Sequence, residues 1–333
     1  MRKIALSLAA LGAMLSGALP GSLAHAQNDN SWVASYGTSG NPCTRTQPCQ
    51  LFSQAIAVTN PGGVINCIDQ GEYSGGGRIT ISTALTIDCE GVQGRVFIDA
   101  VTTAFTVSAG SNDVVTLRGL EIDSNGGGLA GVELTSAKAL HIEKCVIHHF
   151  RATAPYGWGI LAWPGGSGTT ELFVSDTVLE NNGDVGLGSG GGIDVRPTGA
   201  GNIVKAVLNR VEAQGNFFGI RASGSSSSGG VVNMTIRDSV SSGNGSNGIV
   251  GTSGFGNSAV VIMIDRSASS HNAAGFGVIA DGPMTTIRLG NSSIAGNITG
   301  VGATNGGSLQ SFKTNQIKGN STDGTPLPAV NLD

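Results

Sequence analysis

Three charged residues near the middle of the chain, Asp194, Arg196 and Arg221, have side chains suited to an anionic ligand. A guanidinium can bind a carboxylate through two parallel hydrogen bonds, and a carboxylate can act as a proton acceptor in catalysis. If the fold brings them together, we expect a catalytic group in which both arginines hold the carboxylate of a substrate. The alternative is that Asp194 only neutralises Arg221, which would leave a structural ion pair.

Aromatic residues accompany this group. Two of the three tryptophans, Trp158 and Trp163, lie close in sequence to Tyr156. Flat rings can stack on the apolar faces of sugars while nearby polar groups bind the hydroxyls. We therefore predict that these three residues and Glu133 bind substrate. The alternative is that the tryptophans only pack loops against the rest of the protein.

A second candidate group consists of Asp123, His148 and Glu180. A histidine between two carboxylates has its cationic form favoured, and it could act as an acid or a base. The alternative is a polar column on the surface without a chemical role.

The sequence indicates no cofactor. It contains no P-loop, no GxSxG and no HExxH, and no CxxC motif or Cys/His pair that would favour zinc. A dense cluster of acidic residues that would bind calcium is also absent, so calcium is possible but unsupported.

The five cysteines are consistent with an oxidising compartment. Cys43 and Cys49 flank a short polar loop and are predicted to form a disulfide. Cys67 and Cys89 could form a second bridge or remain two buried thiols. Cys145 stands in an apolar run and is expected to be a buried, unreactive thiol.

An internal repeat positions the candidate residues. Aliphatic or aromatic anchor residues recur at spacings of 23 to 34 residues: Leu117, Ile142, Val174, Leu208, Ile236, Ile264, Leu289 and Phe312. In seven of the eight repeats, the residue eight positions later is Asn: Asn125, Asn182, Asn216, Asn244, Asn272, Asn297 and Asn320. Most of these are followed by Gly and an aliphatic residue. A constant offset within repeats of varying length predicts stacked coils.

Alternating segments such as VNMTIRDS and VVIMIDRS indicate strands. Asn tolerates the left-handed backbone of a sharp bend, and stacked Asn side chains can form a hydrogen-bonded ladder. We therefore predict an all-β fold, a single-stranded right-handed parallel β-helix (solenoid) of roughly eleven coils. In this register Asp194 and Arg221 lie on adjacent strands, about 4.8 Å apart at the backbone.

Charged residues two positions after successive anchors alternate in sign: Lys144, Asp176, Arg210, Asp238 and Arg266. They could form a charged binding face, or a ladder of salt bridges on a solvated sheet that fixes the register. Exposed ion pairs of this kind contribute about 0–1 kcal/mol each.

The chain divides into four predicted segments. Residues 1–26 read as a signal peptide with cleavage near Ala26, which predicts a secreted or periplasmic protein. Residues 27–63 form an N-terminal cap with a short helix that stops at Asn60, residues 64–324 form the β-helix, and residues 325–333 form a tail. The net charge of −4 argues against nucleic-acid binding, and no later segment is long and apolar enough to span a membrane.

The Asn column, the Gly-aliphatic strands and the phrase GGVINCIDQGEYSG (Gly62 to Gly75) resemble the right-handed parallel β-helix proteins of the pectin-lyase-like superfamily. That superfamily includes polysaccharide lyases, hydrolases and epimerases, and members without known activity. None of its catalytic residue sets transfers to this sequence. The resemblance implies an exported protein that binds or processes a polysaccharide or cell-surface glycan through a groove on its central coils, where the first group of candidate residues lies. The alternative is a non-catalytic structural or surface-binding β-helix.

Overall fold

The computed structural model of the protein describes residues 28–331. Within this range the chain forms one helix, α1 (Phe52–Val58), and is otherwise built from short strands and turns. No helix in this range has the length and apolar character needed to cross a membrane. The predicted signal peptide, residues 1–26, lies outside the described residues.

The strands are numbered along the chain. The first fourteen are β1 (Asn28–Val33), β2 (Thr59–Cys67), β3 (Gly71–Glu72), β4 (Ile79–Ile81), β5 (Leu85–Asp88), β6 (Gly94–Ile98), β7 (Phe105–Ser108), β8 (Val114–Arg118), β9 (Leu120–Ser124), β10 (Ala130–Ser136), β11 (Ala139–Glu143), β12 (Val146–His148), β13 (Trp158–Ala162) and β14 (Gly168–Glu180). The remaining strands are β15 (Gly191–Val195), β16 (Asn202–Gln214), β17 (Phe218–Ser223), β18 (Val231–Arg237), β19 (Val240–Ser242), β20 (Ile249–Thr252), β21 (Ala259–Asp265), β22 (Ala268–Ser270), β23 (Phe276–Asp281), β24 (Thr285–Gly290), β25 (Ser293–Ala295), β26 (Thr299–Thr304), β27 (Ser308–Ser311) and β28 (Gln316–Ile317).

These strands stack in parallel on three faces of a solenoid. The first face runs from β1 and β2 through β5, β8 and β11 to β27, and the second runs from β3 through β6, β9 and β12 to β28. The third face is a separate sheet of nine strands, β4 to β26. The long strands β14 and β16 continue from the first face to the second. The predicted all-β parallel β-helix with one short N-terminal helix is confirmed.

Strand alternation explains why this sequence forms a solenoid. In β18 and β21, every second side chain is buried in the interior and those between are exposed or half-buried. The interior is a continuous apolar core that extends along the stack. Each coil covers its neighbour, so short strands that could not fold alone bury their inward side chains together.

The alternating charges lie at a corner of the solenoid and not on the flat of a sheet. Lys144, Asp176, Arg210, Asp238 and Arg266 all have left-handed backbone conformations, with φ between 45° and 54°. They mark the turn between the first and second faces. Arg210 contacts Asp176, Arg266 contacts Asp238, and Lys144 contacts Glu90 instead of Asp176. The corner therefore carries separate solvent-exposed ion pairs and not the continuous ladder that the sequence suggested.

The Asn ladder is continuous from Asn182 to Asn320, and all of its members except the half-buried Asn320 are buried. At each step the side-chain amide of one Asn donates to Oδ1 of the next, as Asn244 does to Asn272 at 2.8 Å. Asn125 is exposed and does not belong to the ladder, which corrects the prediction for that coil. The ladder residues do not themselves make the left-handed bend. The residue before each of them does, for example Asn181 and Gly243.

The two ends of the solenoid are covered. At the N-terminal end Phe52 of α1 is buried and packs against Tyr73, with ring centroids 5.2 Å apart. Strand β1 lies within the predicted cap segment and pairs with β2. At the other end Leu327, in the predicted tail, is buried in the core, and Ala329 pairs with Ser311. Residues 332 and 333 of the tail lie outside the described residues.

The structure contains two disulfides, Cys43–Cys49 and Cys67–Cys89. The first joins the ends of the polar loop beside β1, and the second joins successive coils. Cys145 is buried as a free thiol. Burial raises its pKa to about 12.

Candidate functional site

The outward side of the third sheet carries the first group of candidate residues. Outward positions on β10, β13, β15, β17 and β20 are aligned in one column: Glu133, Leu161, Asp194, Arg221 and Val250. We call the outward side of β10, β13, β15 and β17 the central face. The predicted register of this column is observed residue for residue, because parallel strands keep their offset from coil to coil.

Asp194 and Arg221 form a bidentate ion pair on the central face. Nε of Arg221 donates to Oδ1 of Asp194 at 2.9 Å, and Nη2 donates to Oδ2 at 2.8 Å. The side chain of Asp194 is 0% exposed. Its carboxylate is therefore covered and engaged by Arg221, and the catalytic role of Asp194 stays a prediction. The same carboxylate orients the guanidinium of Arg221.

Arg196 has a different environment from Arg221. Its Nε lies 3.6 Å from Oδ2 of Asp194, and its guanidinium lies 5.5 Å from the ring centroid of Trp163. Nε and Nη2 of Arg196 are buried and have no hydrogen-bond partner. Leaving two donors of a guanidinium buried without acceptors is energetically costly.

Trp158 is buried, and its ring supports the guanidinium of Arg221. It is 1% exposed, and its indole N–H donates to the backbone oxygen of Pro155 in the loop that folds over it. Its ring is parallel to that of Phe218 with centroids 6.2 Å apart, and Arg221 lies 4.4 Å from its centroid. Its ring is therefore covered on the central face, and contact between Trp158 and substrate stays a prediction.

Gly191 makes this arrangement possible. It lies between Trp158 and Phe218 in the strand register. A Cβ atom at this position would come within 2.7 Å of the Trp158 ring. The absence of a side chain at Gly191 therefore lets the two aromatic rings approach each other above the sheet.

Trp163 and Tyr156 form the more accessible part of the central face, and Glu133, which contacts Trp163, is buried. The indole N–H of Trp163 donates to Oε1 of Glu133 at 3.0 Å. Tyr156 packs edge-on against Trp163 with centroids 5.5 Å apart. Both rings are partly exposed. Together with Arg196 they form a partly exposed aromatic surface beside a cation, which is an arrangement that can bind a sugar carrying a carboxylate.

The second candidate group lies on the second face. His148 is in register with Asp123 on β9 and with Glu180 on β14, as the sequence predicts. Among the described residues, Glu180 forms no ion pair with His148. The group instead includes His149, whose Nδ1 lies 2.9 Å from Oδ1 of Asp123 and 3.1 Å from Nδ1 of His148. In the structure, His149 and not Glu180 forms the cluster with Asp123 and His148.

Asp123 is held as an ionised carboxylate. Burial by itself raises the pKa of Asp123, but the hydrogen bond with His149, the charge of His148 and the hydrogen bond from Arg95 together lower it below its usual value. Nη2 of Arg95 donates to Oδ2 of Asp123 at 2.9 Å. Oδ1 is left to face the two histidines.

Sequence reasoning missed two contributors, Phe218 and His149. Phe218 is aligned with Trp158 once the register of β13, β15 and β17 is written out, so that alignment could have found it. His149 follows β12 directly and has φ of 64° at the corner. The consecutive pair His148–His149 was the available signal, because a left-handed corner can turn two neighbouring side chains to the same side.

Comparisons with known proteins find structures of similar fold but no match in sequence. No protein-family model matches the chain. No curated protein matches it in sequence. Among solved structures, it is similar to the pectate lyase Pel9A, with a TM-score of 0.55, 18% identity, and coverage of 86% of this chain and 74% of that chain.

Two further solved structures are more distant. The Azotobacter vinelandii mannuronan C-5 epimerase AlgE4 A-module has a TM-score of 0.33, 13% identity, and coverage of 82% of this chain and 91% of that chain. The periplasmic alginate epimerase AlgG has a TM-score of 0.35, 9% identity, and coverage of 82% and 79%. These two scores are too low to support an argument. The similarity to Pel9A, together with the parallel sheets described above, establishes a pectin-lyase-like parallel β-helix, and it concerns the fold alone.

Proposed function

We propose that the protein binds an acidic polysaccharide along the central face, with Arg196 as the anion-binding residue and Trp163 as the stacking surface. The observation that carries the proposal is the guanidinium of Arg196, whose Nε and Nη2 are buried without acceptors beside a partly exposed indole. The side chain of Arg196 is 16% exposed, so it must turn outward for a ligand carboxylate to supply those acceptors through two charge-assisted hydrogen bonds.

Asp194 pairs with Arg221, and Arg196 lies 3.6 Å from the same carboxylate, next to the aromatic rings. Glu133 lies on this face too, so the two arginines and two carboxylates balance, and the preference for an anion rests on the donors of Arg196 that have no acceptor. Because outward positions stack from coil to coil about 4.8 Å apart, a polymer lying along the stack can contact several strands at once. Several weak contacts along one chain add up to a useful affinity.

Binding without turnover is the first form of the proposal, since the carboxylate of Asp194 is buried and engaged by Arg221. Turnover is the second candidate. It is favoured by Glu133, a carboxylate that contacts the indole of Trp163 and has no arginine partner in the described residues, and by the pectate lyase fold of the similar structure.

The test compares acidic polymers with a polymer whose carboxylates are esterified. The purified chain is incubated with polygalacturonate, alginate and methyl-esterified polygalacturonate, and binding and the appearance of new reducing ends or unsaturated uronates are measured. We expect binding to the acidic polymers that weakens on esterification and at higher salt. Equal affinity for the esterified and free-acid polymers, or no binding to any acidic polymer, would refute the proposal.

Export is part of the proposal. Two disulfides, Cys43–Cys49 and Cys67–Cys89, are typical of proteins that fold outside the reducing cytosol. The predicted signal peptide would deliver the chain there. Mass spectrometry of protein from the exported fraction should show an N-terminus at Gln27. A chain that retains residues 1–26 in the cytosolic fraction would contradict export.

A further inference from the structure

We propose that Asp123, His148 and His149 bind one divalent transition-metal ion of the Zn²⁺ class at the corner that follows β12. The ligand atoms are Oδ1 of Asp123 and Nδ1 of each histidine. This site lies on the second face, apart from the central face, and it stands or falls independently of polysaccharide binding.

The three ligand atoms already form a triangle of suitable size. Nδ1 of His149 lies 2.9 Å from Oδ1 of Asp123 and 3.1 Å from Nδ1 of His148, and Nδ1 of His148 lies 3.6 Å from Oδ1. A circle through these atoms has a radius of about 1.9 Å, so an ion about 0.9 Å above their plane would be about 2.1 Å from each, which matches the bond lengths of Zn²⁺ to nitrogen and oxygen.

Hydrogen bonds alone satisfy this cluster poorly. An imidazole nitrogen carries either one proton or one in-plane lone pair, so Nδ1 of His149 can donate to Asp123 or accept from His148, but not both. If the proton on Nδ1 of His149 were shared between Oδ1 of Asp123 and Nδ1 of His148, both hydrogen bonds would be weakened. A cation removes the conflict, because all three atoms then direct lone pairs at it.

Residues around the cluster are arranged as supports of a metal site. Arg95 holds the second oxygen of Asp123, which fixes the orientation of the carboxylate. Oε1 of Glu121 lies 3.5 Å from Nε2 of His148, on the side of the ring opposite the proposed ligand nitrogen. A carboxylate behind a ligating histidine is common in metal sites. The side chain of His149 is 41% exposed, which leaves the ion open to solvent.

The ligand types select the class of ion. Two imidazole nitrogens and one carboxylate oxygen suit Zn²⁺ and similar transition metals, whereas Ca²⁺ and Mg²⁺ prefer sites built from oxygen alone. With three protein ligands and an open side, the site can retain water as a further ligand.

The test measures metal binding directly. The purified, chelator-treated chain is titrated with Zn²⁺ by calorimetry and with Co²⁺ by visible absorption. We expect one equivalent of each to bind, and Ca²⁺ to give no heat of binding at this site. His149→Asn and Asp123→Asn should each lower the Zn²⁺ affinity by about tenfold or more. Asn is chosen at position 149 because Asn181 occupies the same corner of the next coil with φ of 56°.

The control is His271→Asn, which changes a histidine at an equivalent left-handed corner, φ 55°, that has no aspartate or histidine partner among the described residues. It should bind Zn²⁺ as the unmodified chain does. Zn²⁺ should also raise the melting temperature of the unmodified chain and of the His271 variant, but not of the other two. Failure to bind one equivalent, or unchanged affinity in both His149→Asn and Asp123→Asn, would overturn the proposal.

Discussion

Arg221 donates two parallel hydrogen bonds, 2.9 and 2.8 Å long, to the carboxylate of Asp194, while its guanidinium lies over the ring of Trp158. The two residues are neighbours because β15 and β17 are paired in register. This buried pair fixes the centre of the face on which we place ligand binding, and it leaves Arg196 as the cation with free donors.

The Asp194–Arg221 pair should be important for stability. Replacing Asp194 with Asn leaves the charge of Arg221 without its counter-charge in a mostly buried position, so we expect a loss of about 2–5 kcal/mol in the free energy of unfolding. Chemical denaturation measures it. Asp176→Asn, which breaks a bidentate pair at the solvent-exposed corner, is the matched control and should cost no more than about 1 kcal/mol. Equal effects of the two substitutions would show that the central pair is no more than a surface contact.

The Asn ladder should be equally sensitive. Asn244 is buried, its Oδ1 accepts from the backbone N–H of Asn216, and its amide donates to Asn272. Asn244→Ala leaves buried polar groups of neighbouring coils without partners, at about 1–3 kcal/mol each, so unfolding should become easier by at least about 2 kcal/mol. Asn125→Ala is the control, because Asn125 shares the sequence offset but is exposed. If the two alanine variants unfold at the same denaturant concentration, the ladder does not stabilise the fold.

Alkylation should distinguish the five cysteines. With two disulfides formed, and with Cys145 buried and its pKa raised to about 12, the native protein should not react with iodoacetamide at pH 8. Mass spectrometry should find one adduct after denaturation without reductant and five after reduction. Three or more adducts before reduction would show that at least one of the bridges is missing.

The sequence predicts the register of this solenoid well because, in parallel stacked coils, residues at the same position of successive repeats become neighbours in space. It therefore pairs Asp194 with Arg221 and His148 with Asp123 correctly. It does not predict which outward side chains are covered, since that depends on loops such as the one carrying Pro155 that folds over Trp158.

Corners were the second source of error. The sequence assigns the left-handed conformation to the ladder Asn residues, whereas the preceding residue adopts it, because the ladder residue must turn its amide inward. Two consequences follow. Asn125 is wrongly included in the ladder. His149 is missed, since its side chain reaches Asp123 only through the left-handed turn at its own position. The expectation of no metal was based on Cys/His pairs and acidic clusters, so it did not cover a histidine pair at a corner.

The most direct test of the central claim compares two arginine substitutions in a polygalacturonate-binding titration. Arg196→Gln removes the free donors of the central face, and Arg210→Gln removes an equal charge from the exposed corner. Because a hydrogen bond to a charged group contributes about 1.5–3 kcal/mol, Arg196→Gln should weaken binding by about 10- to 150-fold, with a melting temperature within a few degrees of that of the unmodified chain. Arg210→Gln should bind nearly as the unmodified chain does. Equal affinity in the two variants would contradict the assignment of Arg196 as the anion-binding residue.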